Sequence, residues 1–211
     1  YFEAASPSTK TLKPDEKESV DFKNSENLFI TGDNLEALKL MQESYLGKID
    51  MIYVDPPYNT GNDFVYNDDF SINQKEYNLS EGNVDKNGTK LIKNDKSNGR
   101  YHSEWLSMMY PRLKLARNLL SENGVIFVSI DDNEIGNLRL LMDEIYGEDN
   151  FISCFIWNSS TGGGIRSKHV NTAHQYILFY SKDKNNVGKL YAPLSSDAVK
   201  LYKDKDEKGK Y

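Results

Sequence analysis

The sequence of 211 residues predicts an α/β fold: a doubly wound, mostly parallel sheet with helices on both faces. Two observations carry this reading. Short apolar runs rich in β-branched residues alternate along the chain with stretches whose apolar residues recur at helical spacing, the pattern of successive βαβ units. The hydrophobic fraction of 38% is that of an ordinary globular core.

The elements follow in order. Residues 1–26 are polar, with Pro7, Pro14 and a charged run from Asp15 to Glu18, and are expected to form an extended arm. Leu28-Phe29-Ile30 reads as a short strand closed by Gly32. Asp33, with Glu36 three residues on, forms a capping-box-like helix start, and Leu35, Leu38, Met41 and Tyr45 continue it at helical spacing. Ile49 to Val54 is apolar apart from Asp50, as strands buried on both faces tend to be. Residues 59–100 are dominated by Asn, Asp, Gly, Lys and Tyr without sustained period, which predicts a long loop, and such loops usually serve function.

A second helix is expected from Ser103 to Leu120, with Trp105, Met108, Met109, Leu113, Ala116 and Leu120 on one face. Pro111 is expected to kink or split it, and Asn123-Gly124 to end it. Val125 to Ile130 is another β-branched strand, followed by Asp131-Asp132-Asn133 and a helix carrying Ile135, Leu138, Met142 and Ile145. Phe151 to Trp157 and Tyr176 to Tyr180 read as two further strands, so that residues 27–190 make up one domain. Ligands of open parallel sheets collect at the carboxyl ends of strands, which directs attention to Asp33, to Asp55 through Tyr58, and to Asp131-Asp132.

Charge and composition exclude several classes. A net charge of −6 argues against binding nucleic acid by bulk attraction, so any DNA contact must be local. The basic residues Lys86, Lys90, Lys93, Lys96 and Arg100 offer one such region, although a solvated loop explains them as well as phosphate contacts do. No run approaches the roughly 20 apolar residues of a membrane span and Tyr1 to Lys10 does not resemble a signal sequence, so the expected location is cytoplasmic, without a membrane partner. The single cysteine, Cys154, excludes an internal disulfide and a cysteine metal cluster, and its apolar surroundings predict a buried, inert thiol. No metal is expected. A phosphate-binding Gly-x-x-x-x-Gly-Lys-Ser/Thr loop is absent, which argues against nucleotide hydrolysis.

Chemistry concentrates at Asp55-Pro56-Pro57-Tyr58, where the apolar strand ends. The two prolines stiffen the backbone and withhold two N–H donors. A carboxylate beside a free carbonyl then offers two acceptors to a planar amine with two hydrogens, such as adenine N6 or cytosine N4. Tyr58 adds an aromatic face on which an extruded base can stack.

Thr31 to Leu38, Asp55 to Gly61, His102 to Leu113 and Val125 to Glu134, together with Ala5 to Pro14 and His174 to Leu178, closely resemble the modification subunits of type III restriction-modification systems. The resemblance covers nearly the whole chain. It implies a Rossmann-like S-adenosylmethionine-dependent methyltransferase of the β class, acting on adenine N6 in double-stranded DNA, with a restriction subunit as partner and a homodimer as the assembly. By this resemblance Asp55 and the Pro56 carbonyl would hold the target amine, Pro57 would complete the motif, and Tyr58 would stack on the base. Asp33 and Asn34, with Asp55 and Pro56, would lie on the cofactor side. Asn59, Thr60 and Gly61 would shape the base pocket, and His174 and Tyr176 would border it.

The sequence departs from the family in one respect. The glycine-rich cofactor loop of the form Phe-x-Gly-x-Gly occurs nowhere, and Gly162-Gly163-Gly164 lacks its aromatic lead. A partial catalytic domain is therefore expected, with residues 191–211 opening a target-recognition region that lies elsewhere, and with little methyl transfer by this piece alone. Cytosine N4 methylation and a non-catalytic scaffold are the competing readings.

Overall fold

A computed structural model of the chain describes residues 2–61, 64–66, 91–93, 97, 99–158, 172–190, 205–206 and 209–210. Its elements are α1 (Phe2–Ala5), α2 (Asn34–Tyr45), β1 (Ile49–Val54), β2 (Phe64–Tyr66), β3 (Leu91–Lys93), α3 (Tyr101–Leu119), β4 (Leu120–Ile130), α4 (Ile135–Tyr146), β5 (Phe151–Asn158), β6 (His174–Ser181), β7 (Lys205–Asp206) and β8 (Gly209–Lys210).

The α/β architecture is the expected one, and the main sheet runs in the order β1-β4-β6-β5. Against the mostly parallel sheet expected, it is mixed: β1 and β4 pair in parallel, with Met51 opposite Val125 and Val54 opposite Val128, while β6 runs antiparallel to both β4 and β5. The parallel pair is the one joined by a helix, as parallel strands require a long crossover.

Alternation along the strands sends Ile126, Val128 and Ile130 of β4, and Leu178 and Tyr180 of β6, into one core with Trp105, Met109 and Leu113 of α3 and Leu138, Met142 and Tyr146 of α4. On the other face Phe127 and Phe179 stack with ring centroids 4.3 Å apart. Met51, Tyr53, Phe155 and Trp157 are exposed. β1, expected to be buried on both faces, is therefore an edge strand with one face open among the described residues.

Four other expectations are corrected. Leu28-Phe29-Ile30 forms no strand; Leu28 is 62% and Phe29 89% exposed, because none of the described residues offers the run a ladder to join. Pro111 sits inside an unbroken α3. That helix closes at Leu119, ahead of Asn123-Gly124, and the chain passes directly into β4. Cys154, finally, is exposed rather than buried. Residues 2–26 begin with the short α1, and Ser8 donates to Glu36 Oε2 at 2.6 Å, tying this arm to the first turn of α2.

Candidate functional site

β1 delivers Asp55 to its carboxyl end, next to the parallel β4 and its Ser129. Ser129 donates to Asp55 Oδ1 at 2.5 Å and the Tyr58 hydroxyl to the same oxygen at 3.0 Å. Among the described residues none donates to Asp55 Oδ2 or to the Pro56 carbonyl. Asp55 lines the adjoining cavity, whereas Pro56 does not. Asp55 is exposed and Pro56 buried, and no described cation pairs with the carboxylate.

The remaining carbonyls of the corner are engaged. The indole of the fully buried Trp105 donates to the Pro57 carbonyl at 2.7 Å, and the Tyr101 hydroxyl donates to the Asn59 carbonyl. Tyr58 also lies 3.4 Å from Gln175 Oε1. Burial chiefly, opposed by the Ser129 hydroxyl and reinforced by the Asp55 carboxylate, raises the Tyr58 phenol above its usual range, so it acts as a neutral O–H donor.

Beside this corner lies a cavity of about 320 Å³ on the open face of the sheet. That volume is within the span of about 300 to 1,000 Å³ common to small-molecule sites. Tyr53 and Asp55 come to it from β1, Tyr58 from the corner, Ser129 from β4, Trp157 from β5, and Gln175 and Ile177 from β6. A larger cavity of about 600 Å³ lies between α1, α3 and α4, lined by residues such as Phe2, Leu106 and Leu140, and includes none of the strand-end residues.

Placement of the other expected residues is mixed. Asp33 accepts from the Glu36 amide at 2.9 Å as the cap of α2, and Asn34 Oδ1 accepts from Arg112 Nε at 2.7 Å. Neither lines the cavity. Asn59 is buried and turns inward to Glu134, and Thr60 and Gly61 are not lining residues either. His174 and Tyr176 alternate with Gln175 and Ile177 and take the opposite face of β6, where Tyr176 packs against the core. There the Tyr176 hydroxyl donates to Asp132 Oδ1 at 2.9 Å and lies 3.0 Å from His174 Nε2.

Lys86, Lys90 and Lys96 lie outside the described residues. Lys93 is described only as a backbone position in β3, and Arg100 precedes α3 on the surface. Ser129, Trp157 and Gln175 were not anticipated. Only Ser129 carried a signal, as a hydroxyl inside an otherwise apolar strand.

The donor set can be tested against a methyl donor with a positively charged sulfonium. A carboxylate and the rings of Tyr53, Tyr58 and Trp157 suit a cation as well as an aryl amine. The reactive end of S-adenosylmethionine fits this set. No set for its adenosine end is visible among the described residues, because Asp33 and Asn34 are engaged in α2.

Residues 49–211 match the DNA methylase family model (N6_N4_Mtase). The StyLTI Mod subunit of a type III restriction-modification enzyme of Salmonella typhimurium is 43% identical over 210 residues, which are 97% of this chain and 32% of that protein. The EcoP15I Mod subunit of Escherichia coli is 42% identical over 198 residues, 91% of this chain and 30% of that protein. The chain spans about a third of the length of the curated relatives it matches. Among solved structures, the PvuII DNA methyltransferase (cytosine-N4-specific) superposes with a TM-score of 0.42 at 15% identity, over 70% of this chain and 47% of that one. With the family model matched from β1 onward, the chain belongs to the DNA methylase family.

Proposed function

We propose that the protein containing this chain transfers a methyl group from S-adenosyl-L-methionine to the N6 amine of an adenine turned out of double-stranded DNA. On this reading it is the modification subunit of a type III restriction-modification system, acting in the cytoplasm as a homodimer beside a restriction subunit. The observation that carries the reading is the Asp55 carboxylate, which lines the strand-end cavity beside Tyr58 with Oδ2 free of any described donor. The names of the relatives support the assignment to a type III system.

The residues have defined tasks in this reaction. An adenine amine is a weak nucleophile because its lone pair is delocalised into the ring. Asp55 Oδ2 and the Pro56 carbonyl accept its two hydrogens, raise its electron density and aim it. The gain comes from positioning and electrostatics. Tyr58 stacks on the base, a contribution of about 1 to 3 kcal/mol that offsets the loss of stacking in the duplex. Asp55 and the rings of Tyr53, Tyr58 and Trp157 would hold the reactive end of the cofactor, which would supply an electrophilic methyl group. Asp55 Oδ2 is placed to take the proton that the methylated amine sheds.

The test uses the full-length protein. Modified DNA is digested and its nucleosides are identified, for the natural protein and for Asp55→Ala. The expected product is N6-methyladenine, lost in the variant. N4-methylcytosine would transfer the reading to the other amine that fits the same acceptors. Undiminished methylation by Asp55→Ala would leave a scaffold role only.

A further inference from the structure

Glu134 precedes α4 and is only 1% exposed, yet it makes no capping bond to that helix. Its carboxylate is spent on tertiary contacts instead. Oε1 accepts from Asn59 Nδ2 at 2.5 Å and meets His102 Nδ1 at 2.6 Å, while Oε2 accepts from Asn137 Nδ2 at 2.7 Å. Among the described residues no lysine or arginine pairs with it. A buried carboxylate is costly unless its oxygens are hydrogen-bonded, and three N–H groups from three separate segments meet that need here.

The segment that gains most is the corner. Asn59 follows Tyr58 directly, is 0% exposed, and holds φ at 58°, in the left-handed region; Asp21 is the other non-glycine there among the described residues. Asparagine tolerates this conformation but does not by itself select it. Its carbonyl is taken by the Tyr101 hydroxyl and its amide by Glu134 and the Tyr101 carbonyl, so both ends of the turn are held. An extended residue at 59 would redirect the chain one step after the ring of Tyr58 and four after Asp55.

We propose that Glu134 is a positioning residue for methyl transfer: through Asn59 it locks the left-handed turn that sets Tyr58 and the Asp55 and Pro56 acceptors in their working geometry. It touches neither base nor cofactor. The inference rests on the reaction proposed above.

The experiment compares full-length Glu134→Gln, Asn59→Asp, their double variant and Asp55→Ala. Glutamine at 134 sets an N–H group against one of the three N–H partners, and aspartate at 59 sets a carboxylate against Glu134. The double variant exchanges carboxylate and amide, restoring the bond between the two positions but not the donation from residue 59 to the Tyr101 carbonyl. Each single variant is expected to lower kcat about tenfold to a hundredfold, the scale of small misplacements, with KM for DNA within about twofold. The double variant is expected to be more active than Asn59→Asp, recovering part of that loss.

Duplex DNA carrying 2-aminopurine at the target position is expected to change its bound-state fluorescence in the single variants and to move back toward the natural signal in the double variant. Should Glu134→Gln fail to fold, Asn59→Gly carries the test, since glycine keeps the left-handed turn accessible without the amide: a lowered kcat supports the role, and full activity overturns it. Unchanged kcat in Glu134→Gln with Asp55→Ala inactive would overturn it too, as would a double variant no more active than Asn59→Asp. Activity retained by Asp55→Ala would instead remove the reaction on which the inference stands.

Discussion

Ser129 donates its hydroxyl to Asp55 Oδ1 across 2.5 Å, joining the end of β4 to the corner that follows β1. Because Tyr58 addresses the same oxygen, the carboxylate is turned so that Oδ2 remains open toward the cavity. Ser129→Ala should free that rotation. A hydrogen bond to a charged group is worth about 1.5 to 3 kcal/mol, so kcat for methyl transfer by the full-length protein is expected to fall about tenfold. KM for DNA should hold. Steady-state kinetics check this, and an unaltered kcat would remove Ser129 from the site.

Trp105 anchors the corner from beneath through its bond to the Pro57 carbonyl. Trp105→Phe keeps most of the packing but leaves that carbonyl without its partner, an expected loss of about 1 to 3 kcal/mol of stability. Trp105→Ala also opens a cavity in the core and should cost about 3 to 5 kcal/mol. Urea denaturation ranks the two. Equal losses would mean that the hydrogen bond, and not the packing, sets the cost at this position.

Much of this frame was legible in the sequence. The periodicity of Leu35 to Tyr45 and Ile135 to Ile145 located α2 and α4, and the double proline after Val54 marked the end of β1. The sheet's direction was harder to read. Whether β6 runs parallel or antiparallel depends on the path of the chain before it, which apolar spacing does not record. Facing was lost for a related reason: alternation says that His174 and Tyr176 share a side, but only the pairing of Tyr176 with Ile130 and Ile156 says which. Gln175 and Ile177 therefore line the cavity instead. Glu134 was hidden by company, since it ends an Asp-Asp-Asn-Glu run that reads as a solvated turn until Asn59 and His102 are brought to it.

Gly124, expected to end a helix, lies inside β4. A Cβ there would meet the Ile49 carbonyl at 2.8 Å and the Ser121 carbonyl at 2.9 Å, both backbone atoms, at the irregularity where β1 joins β4. Gly124→Ala should destabilise the fold by about 1 to 3 kcal/mol, the usual range for overpacking. Gly136, in the first turn of α4, has nothing within 4 Å of its Cβ position. Gly136→Ala should stabilise by about 0.4 to 1 kcal/mol through the unfolded chain. Denaturation midpoints that moved in the same direction for both variants would contradict this account.

Stability at alkaline pH should depend on Tyr146. Its ring is buried in the core and its hydroxyl donates to the Leu113 carbonyl at 3.2 Å. Burial drives its pKa far above the usual 10.0, against a smaller lowering by Arg117. The phenol of the unfolded chain loses its proton near 10.0, whereas the folded one keeps it. The folded state then binds more protons, so the full contribution is present below the unfolded pKa and is lost as pH rises from there toward the folded pKa. For one such group the unfolding free energy should fall by about 1.4 kcal/mol per pH unit above that point. Tyr180 adds a loss of the same sign, because burial first and Asp143 second raise its pKa as well. Tyr146→Phe should therefore have a shallower alkaline slope than the natural protein while losing some stability at neutral pH with its hydrogen bond. Urea titrations from about pH 9 to about pH 11 measure both slopes. Parallel curves would mean that the Tyr146 phenol ionises in the folded chain as readily as in the unfolded one.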